Sequence, residues 1–182
     1  MSYLPLILQI VLAVVAILAA VYDYRFRRIP NWLTLSGVLL GLGLNSFLFG
    51  WGGLRTAGLG LGLAFLVYFP LYLLRGMGAG DVKLMGAVGS LVGAANWFGI
   101  FIISNILGGV IAIILLFGRG RFGKTFRNVG YMLTEMIALR APYLKREELD
   151  VKSPKAVTLP HGVVIGLGSL VFLVAAAIWA PR

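Results

Sequence analysis

A chain of 182 residues that is 60% hydrophobic and only 12% charged lacks the charged shell that keeps a soluble domain dispersed, so an ordinary globular surface is excluded. The net charge of +10 does not point to nucleic acid, because the basic residues sit between long apolar runs rather than on one folded face with polar and aromatic partners. There is no cysteine, which rules out disulfides, thiolate catalysis and Cys-ligated zinc.

The expected architecture is all-α: a single membrane-embedded domain, 1–182, of about six spans, each needing roughly 20 apolar residues. The first span, near 4–22, is read as retained, since a cleaved signal peptide begins with a basic region and here the Arg cluster follows the apolar run. A basic stretch, 23–32, leads into spans near 33–50 and 56–74. The stretch 75–83 then opens a short span near 82–95, followed by one near 97–117. Between 118 and 160 the chain turns polar. There Phe126, Val129, Met132, Leu133, Met136 and Ile137 recur at helical spacing, which predicts an amphipathic segment near 120–158. Such a segment lies on the inner leaflet or packs on the protein's own cytoplasmic face. A last span runs near 161–180. Glycines four apart, as Gly37/Gly41, Gly58/Gly62, Gly89/Gly93 and Gly162/Gly166, read as seams where helices approach closely in lipid.

Charge fixes the orientation of such a bundle. The stretches 23–32, 75–83 and 118–160 hold 14 of the 16 basic residues, and Lys and Arg are retained on the cytoplasmic side when helices insert. Both termini are therefore expected to be extracytoplasmic.

Only six acidic residues exist, and four of them, Glu135, Glu147, Glu148 and Asp150, lie in the polar stretch where solvent accounts for them. The other two are Asp23, at the end of the first span, and Asp81, at the start of the short one. An ionisable group at such a depth is costly and marks function by default. About 14 helical residues cover only about 21 Å of a hydrocarbon core of about 30 Å, so the Gly78-Ala79-Gly80-Asp81 turn is expected to border a wet pocket. With both acids on one membrane face, although 58 residues apart, they can meet. Two close carboxyls share a proton. One then serves as general base on a water while the other polarises an amide carbonyl and protonates the leaving nitrogen, which is aspartyl protease chemistry. Gly78 and Gly80 suit close backbone approach by an extended substrate. The competing structural reading makes Asp81 a helix-start carboxylate and gives Asp23 an arginine partner among Arg25, Arg27 and Arg28. A Ser104–His161 protease is a further alternative, without a G-x-S-x-G turn to support it.

The runs Asp23-Tyr24-Arg25-Phe26-Arg27-Arg28-Ile29-Pro30-Asn31 and Gly78-Ala79-Gly80-Asp81-Val82-Lys83-Leu84, with Leu159-Pro160-His161-Gly162 before the last span, resemble the type IV prepilin peptidases, bacterial GxGD aspartyl proteases. The resemblance runs nearly end to end and is strongest to the short form that serves tight-adherence (Flp) pili. It implies that Asp23 and Asp81 are the catalytic pair. It also implies a prepilin or pseudopilin precursor as substrate, cut after a Gly on the cytoplasmic side of its hydrophobic segment in the inner membrane of a prokaryote. No metal or other cofactor is expected. Long family members also methylate the new N-terminus and carry zinc-binding Cys pairs; a chain without cysteine and with a short 23–32 connection is expected to lack that activity. Lys83, Pro30 and Asn31, with Gly78 and Gly80, are placed around the acids as substrate-binding or supporting residues, Asn31 being the expected N-cap of the second span.

Two other classes use the same features. A small proton-coupled transporter or channel would employ the Asp pair as a proton relay, and a scaffold subunit of pilus machinery would need neither carboxyl.

Overall fold

The computed structural model describes residues 4–74, 77–118, 130, 131, 134 and 159–179. Four long helices account for most of them: α1 (Leu6–Phe26), α2 (Asn31–Leu73), α3 (Ala79–Gly118) and α4 (His161–Trp179). Each is long and apolar enough to cross a membrane, and the protein is a multi-pass all-α membrane protein. The amphipathic segment expected near 120–158 lies outside the described residues, apart from Gly130, Tyr131 and Thr134.

α1 shows how the lipid setting shapes the pattern. Leu8, Leu12, Val15, Ala16, Ala19 and Asp23 form its buried stripe, while Ile7, Ile10, Val14, Ile17 and Val21 stand exposed on the other side. An apolar exterior is the mark of a helix solvated by hydrocarbon. The helix ends at Arg27, which takes a left-handed conformation (φ 52°) and donates its backbone N–H to Asp23 O at 2.9 Å. Beyond it the aromatic rings of Tyr22, Phe26 and Trp32 cluster, with centroids 5.6 and 6.1 Å from Tyr22.

α2 and α3 each change direction at a glycine. At 43 residues α2 measures about 65 Å, twice a bilayer core, and it breaks at Gly50 (φ 60°, ψ −142°), a conformation open only to glycine at low cost. Before the break, Gly37 and Gly41 lie against Ala87 and Ser90; after it, Thr56, Gly60 and Phe65 lie against Gly93, Gly89 and Gly86. The order rises in the first half and falls in the second, so the two halves run antiparallel along the start of α3. α3 breaks likewise at Gly93 (φ 75°, ψ 170°), and Trp97 folds back to donate its indole N–H to Met85 O at 3.1 Å. Past the break, Gly99, Ser104 and Gly108 meet Phe172, Gly168 and Val164, antiparallel to α4. α4 in turn packs Gly166 on Ala16 and Ala20 of α1. The spans expected near 33–50 and 56–74 thus both fall in α2, and those near 82–95 and 97–117 both fall in α3.

The first half of α3 is the hub. Val82, Leu84, Met85, Ala87, Val88, Leu91 and Val92 are all buried, so this short segment is solvated by protein rather than lipid, which resolves its shortfall in length. Tyr68, Trp97 and Phe101 cap the hub with a ring cluster, Trp97 and Phe101 stacked at 5.4 Å. Buried Asn45 reaches from α2 into the broken turn, its amide lying 2.9, 3.1 and 3.2 Å from the carbonyls of Gly41, Ser90 and Leu91. The glycine seams are confirmed by contact at Gly37, Gly41, Gly89 and Gly166, but not at Gly58 and Gly62, which face open space. Gly60 is the packed residue there, against the Gly89 backbone. Periodicity gives the spacing of a seam and not which face of the helix carries it.

Three substitutions test this packing by denaturant midpoint in detergent. Gly60→Ala, whose methyl would collide with the Gly89 carbonyl, costs about 1–3 kcal/mol, whereas Gly58→Ala is neutral or stabilising by up to about 1 kcal/mol. Asn45→Ala strips a donor from buried carbonyls and costs about 1–3 kcal/mol; an unchanged midpoint would refute the role of Asn45.

Candidate active site

Asp23 occupies the last turn of α1 on its buried stripe, with 7% of its surface exposed. Its Oδ2 accepts the backbone N–H of Gly162 at 2.7 Å and lies 3.4 Å from that of Val163. These amides open α4, and the first N–H groups of any helix have no partner inside it. Pro160, just before, has no side-chain acceptor; its carbonyl takes the N–H groups of Val163 and Val164. Asp23 is therefore the cap of a helix 139 residues away in sequence. The N-terminal end of a helix dipole is a favourable place for a carboxylate.

Asp81 sits in the first turn of α3. Its Oδ2 accepts the Gly78 N–H at 3.1 Å, and its own N–H donates to Gly78 O at 3.2 Å. Gly78 and Asp81 thus close a compact helix start of the capping-box kind. The expected helix-start role of Asp81 and its position at the site hold together.

Both acids line one open cavity of about 320 Å³ at the ends of four helices. Of the residues expected around them, Gly78, Gly80, Lys83 and Asn31 also line it. Lys83 Nζ donates to Asn31 Oδ1 at 2.9 Å, tying the start of α2 to the first turn of α3. The expected cap on α2 needs correction: Pro30, extended at φ −64° and ψ 138°, holds the N-cap position without a side-chain bond, and Asn31 is the first helical residue. Pro30 supports the rim of the cavity through this turn and does not line it.

The cavity also takes in Arg27, Arg28, Ile29, Leu159, Pro160 and His161. Arg27 and Arg28 count in the sequence as topological charge and as ion-pair candidates for Asp23, and Ile29 is a half-buried loop residue with no periodic signal. Gly162 has the four-residue spacing of a seam with Gly166, but its contact with the end of α1 is not legible there: a Cβ on Gly162 would lie 2.9 Å from both Asp23 Cβ and Asp23 Oδ2. The Ser104–His161 pairing is not formed. Ser104 is buried beside Gly168, two turns and about 10 Å along α4 from exposed His161. Among the described residues no group of three or more His, Asp or Glu is placed to hold a metal ion.

The arrangement offers two carboxyls at one water-accessible opening, each anchored by backbone amides, with cationic side chains on the rim. Comparison with known proteins agrees with that chemistry. The chain is 32% identical over 106 residues to the prepilin leader peptidase/N-methyltransferase of Xanthomonas campestris pv. campestris, a match covering 54% of this chain and 37% of that protein. The chain thus spans little more than a third of that relative's length. No solved structure matches. The type IV leader peptidase family matches over residues 10–113, more than half of the sequence and inclusive of both aspartates; the chain belongs to the type IV leader peptidase family.

Proposed function

We propose that this protein is a membrane aspartyl endopeptidase that removes the short basic leader from type IV or Flp-type prepilins or pseudopilins, without methyl transfer. The observation that carries the reading is the meeting of Asp23 and Asp81 at one open cavity. The relative's activity on prepilin leaders supports it, and the absence of methyl transfer rests on the lack of cysteine and the short 23–32 connection.

On this reading the pair holds one proton. The ionised carboxylate takes a proton from a water whose oxygen attacks the scissile carbonyl, and the protonated partner gives its proton to the developing oxyanion. The tetrahedral diol collapses as one carboxyl proton moves to the leaving nitrogen and the other carboxylate takes a proton from a diol hydroxyl; the C–N bond breaks, and a free leader acid, a new amine and a pair again holding one proton result. The backbone amides that hold each acid keep both in place through the cycle. Gly78 and Gly80 keep the Asp81 side of the cavity free of side chains, which suits a substrate bound as extended backbone.

Direction in the membrane follows from charge. We read α2 and α3 as two crossings each, six in all with α1 and α4, and both termini extracytoplasmic. The cavity is built from 23–31, 78–83 and 159–161, beside the stretches that hold 14 of the 16 basic residues. The positive-inside rule puts those stretches, and hence the cavity, on the cytoplasmic face of the inner membrane.

The test is cleavage of a synthetic leader peptide by the purified full chain in detergent. A single cut is expected, with a bell-shaped dependence of rate on pH from the coupled carboxyls. Asp23→Asn and Asp81→Asn each lower the rate by at least about a hundredfold while the protein still accumulates in membranes. Normal cleavage by either variant removes the proposal, and leaves a relay or scaffold role for the protein.

A further inference from the structure

Asp23 is tied to the start of α4 and Asp81 lies in the start of α3, and something must hold those helix starts apart at a working distance. Neither carboxyl does so, since Asp23 binds the start of α4 and Asp81 binds the turn of its own helix. The side chain that touches both starts is Ile29, in the loop between α1 and α2. A Cβ on Gly162, next to Asp23, would lie 2.9 Å from Ile29 Cδ1. A Cβ on Gly80, next to Asp81, would lie 3.3 Å from Ile29 Cβ and 3.7 Å from both Ile29 Cγ1 and Cδ1. Each helix start thus presents a bare glycine to a face of one branched side chain.

We propose that Ile29 is a positioning residue, a rigid spacer seated between Gly80 and Gly162 that sets the separation of Asp23 and Asp81. Three features carry this. Ile29 packs against the hydrophobic core and lines the cavity at the same time, so it is braced from behind. A β-branched side chain is stiff at χ1 and keeps its width. The glycines leave no slack, because a methyl on Gly162 would also press on Asp23 Cβ and Oδ2. The loop is itself held at both ends, by the left-handed Arg27 and by Pro30 with its fixed φ. Removing the Ile29 side chain lets the two starts approach or drift, and the water between the carboxyls loses its fixed place.

The inference rests on the peptidase reading for its kinetic arm and stands apart from it in its geometric arm. In leader-peptide cleavage by the full chain, Ile29→Ala lowers kcat by about ten- to a hundredfold, in line with misplacement of reacting groups by less than an ångström or so. KM stays within about twofold, because the substrate is held elsewhere in the cavity. Ile29→Val keeps the contact to Gly80 and loses Cδ1, the atom against Gly162, so its rate falls between those of the unaltered protein and Ile29→Ala. A rise in KM alone, or an Ile29→Val variant as fast as the unaltered protein, would overturn the spacer role.

The second arm needs no activity. The chain has no cysteine, so Ala79→Cys with His161→Cys, exposed on the two helix starts at the cavity, supplies the one thiol pair and leaves both acids in place, to be bridged by bifunctional thiol reagents of graded length. With Ile29 present, yield peaks sharply at one reagent length; with Ile29→Ala added, the peak shifts or broadens. An identical peak in both proteins overturns the proposal even if cleavage is slowed. If no leader peptide is cut by any variant, the peptidase reading fails while the reagent series still decides whether Ile29 sets the spacing.

Discussion

The bond between the Asp23 carboxylate and the amides that open α4 is the constraint on which the site depends. The first backbone N–H groups of a helix have no partner within it, and at the start of α4 the protein supplies one. α4 begins after a proline with no cap of its own, and the acid that caps it arrives from α1. Asp81 does the equivalent work within the turn that starts α3. The proposed catalytic pair is therefore assembled from two solutions to the same hydrogen-bonding problem, which bring both acids to one open end of the bundle.

The rest of the architecture serves that end through close approach. α3's first half is buried along most of its length, and neighbours reach it only where glycine or alanine removes bulk, as at Gly37 against Ala87 and Gly60 against Gly89. The glycine breaks at 50 and 93 turn two long apolar runs back on themselves, and Asn45 supplies polar contact at the carbonyls of the second break. A short central helix is stable in this position because its walls are protein.

Much of this was legible in the sequence because charge is scarce in it. With six acids in all, and four of them in a polar stretch, Asp23 and Asp81 stand out on cost alone, and the structure brings both to one cavity. The all-helical membrane character followed from the length of the apolar runs. What was not legible depends on phase and on long-range contact. Gly58 and Gly62 share the spacing of Gly37 and Gly41 but face outward, while Gly60 between them makes the contact. Asn31 has the chemistry of a cap, yet the rigid Pro30 takes the position and frees the amide for Lys83. Ile29 and Gly162 lie within recognisable runs, but their contact with each other is a distance between separate parts of the chain that the sequence does not show.

Tyr22, Phe26 and Trp32 cluster at the end of α1 and in the first turn of α2, the same helix ends that bring Asp23 and Asn31 to the cavity, and such rings settle at the headgroup level of a bilayer. That sets the height of the opening relative to the lipid. On the proposed function, a precursor anchored in the same leaflet by its own apolar segment then arrives by lateral diffusion, already at the matching altitude. Encounter becomes a search across a plane rather than through a volume, and the number of residues between the precursor's anchor and its cut becomes a ruler read against the membrane surface.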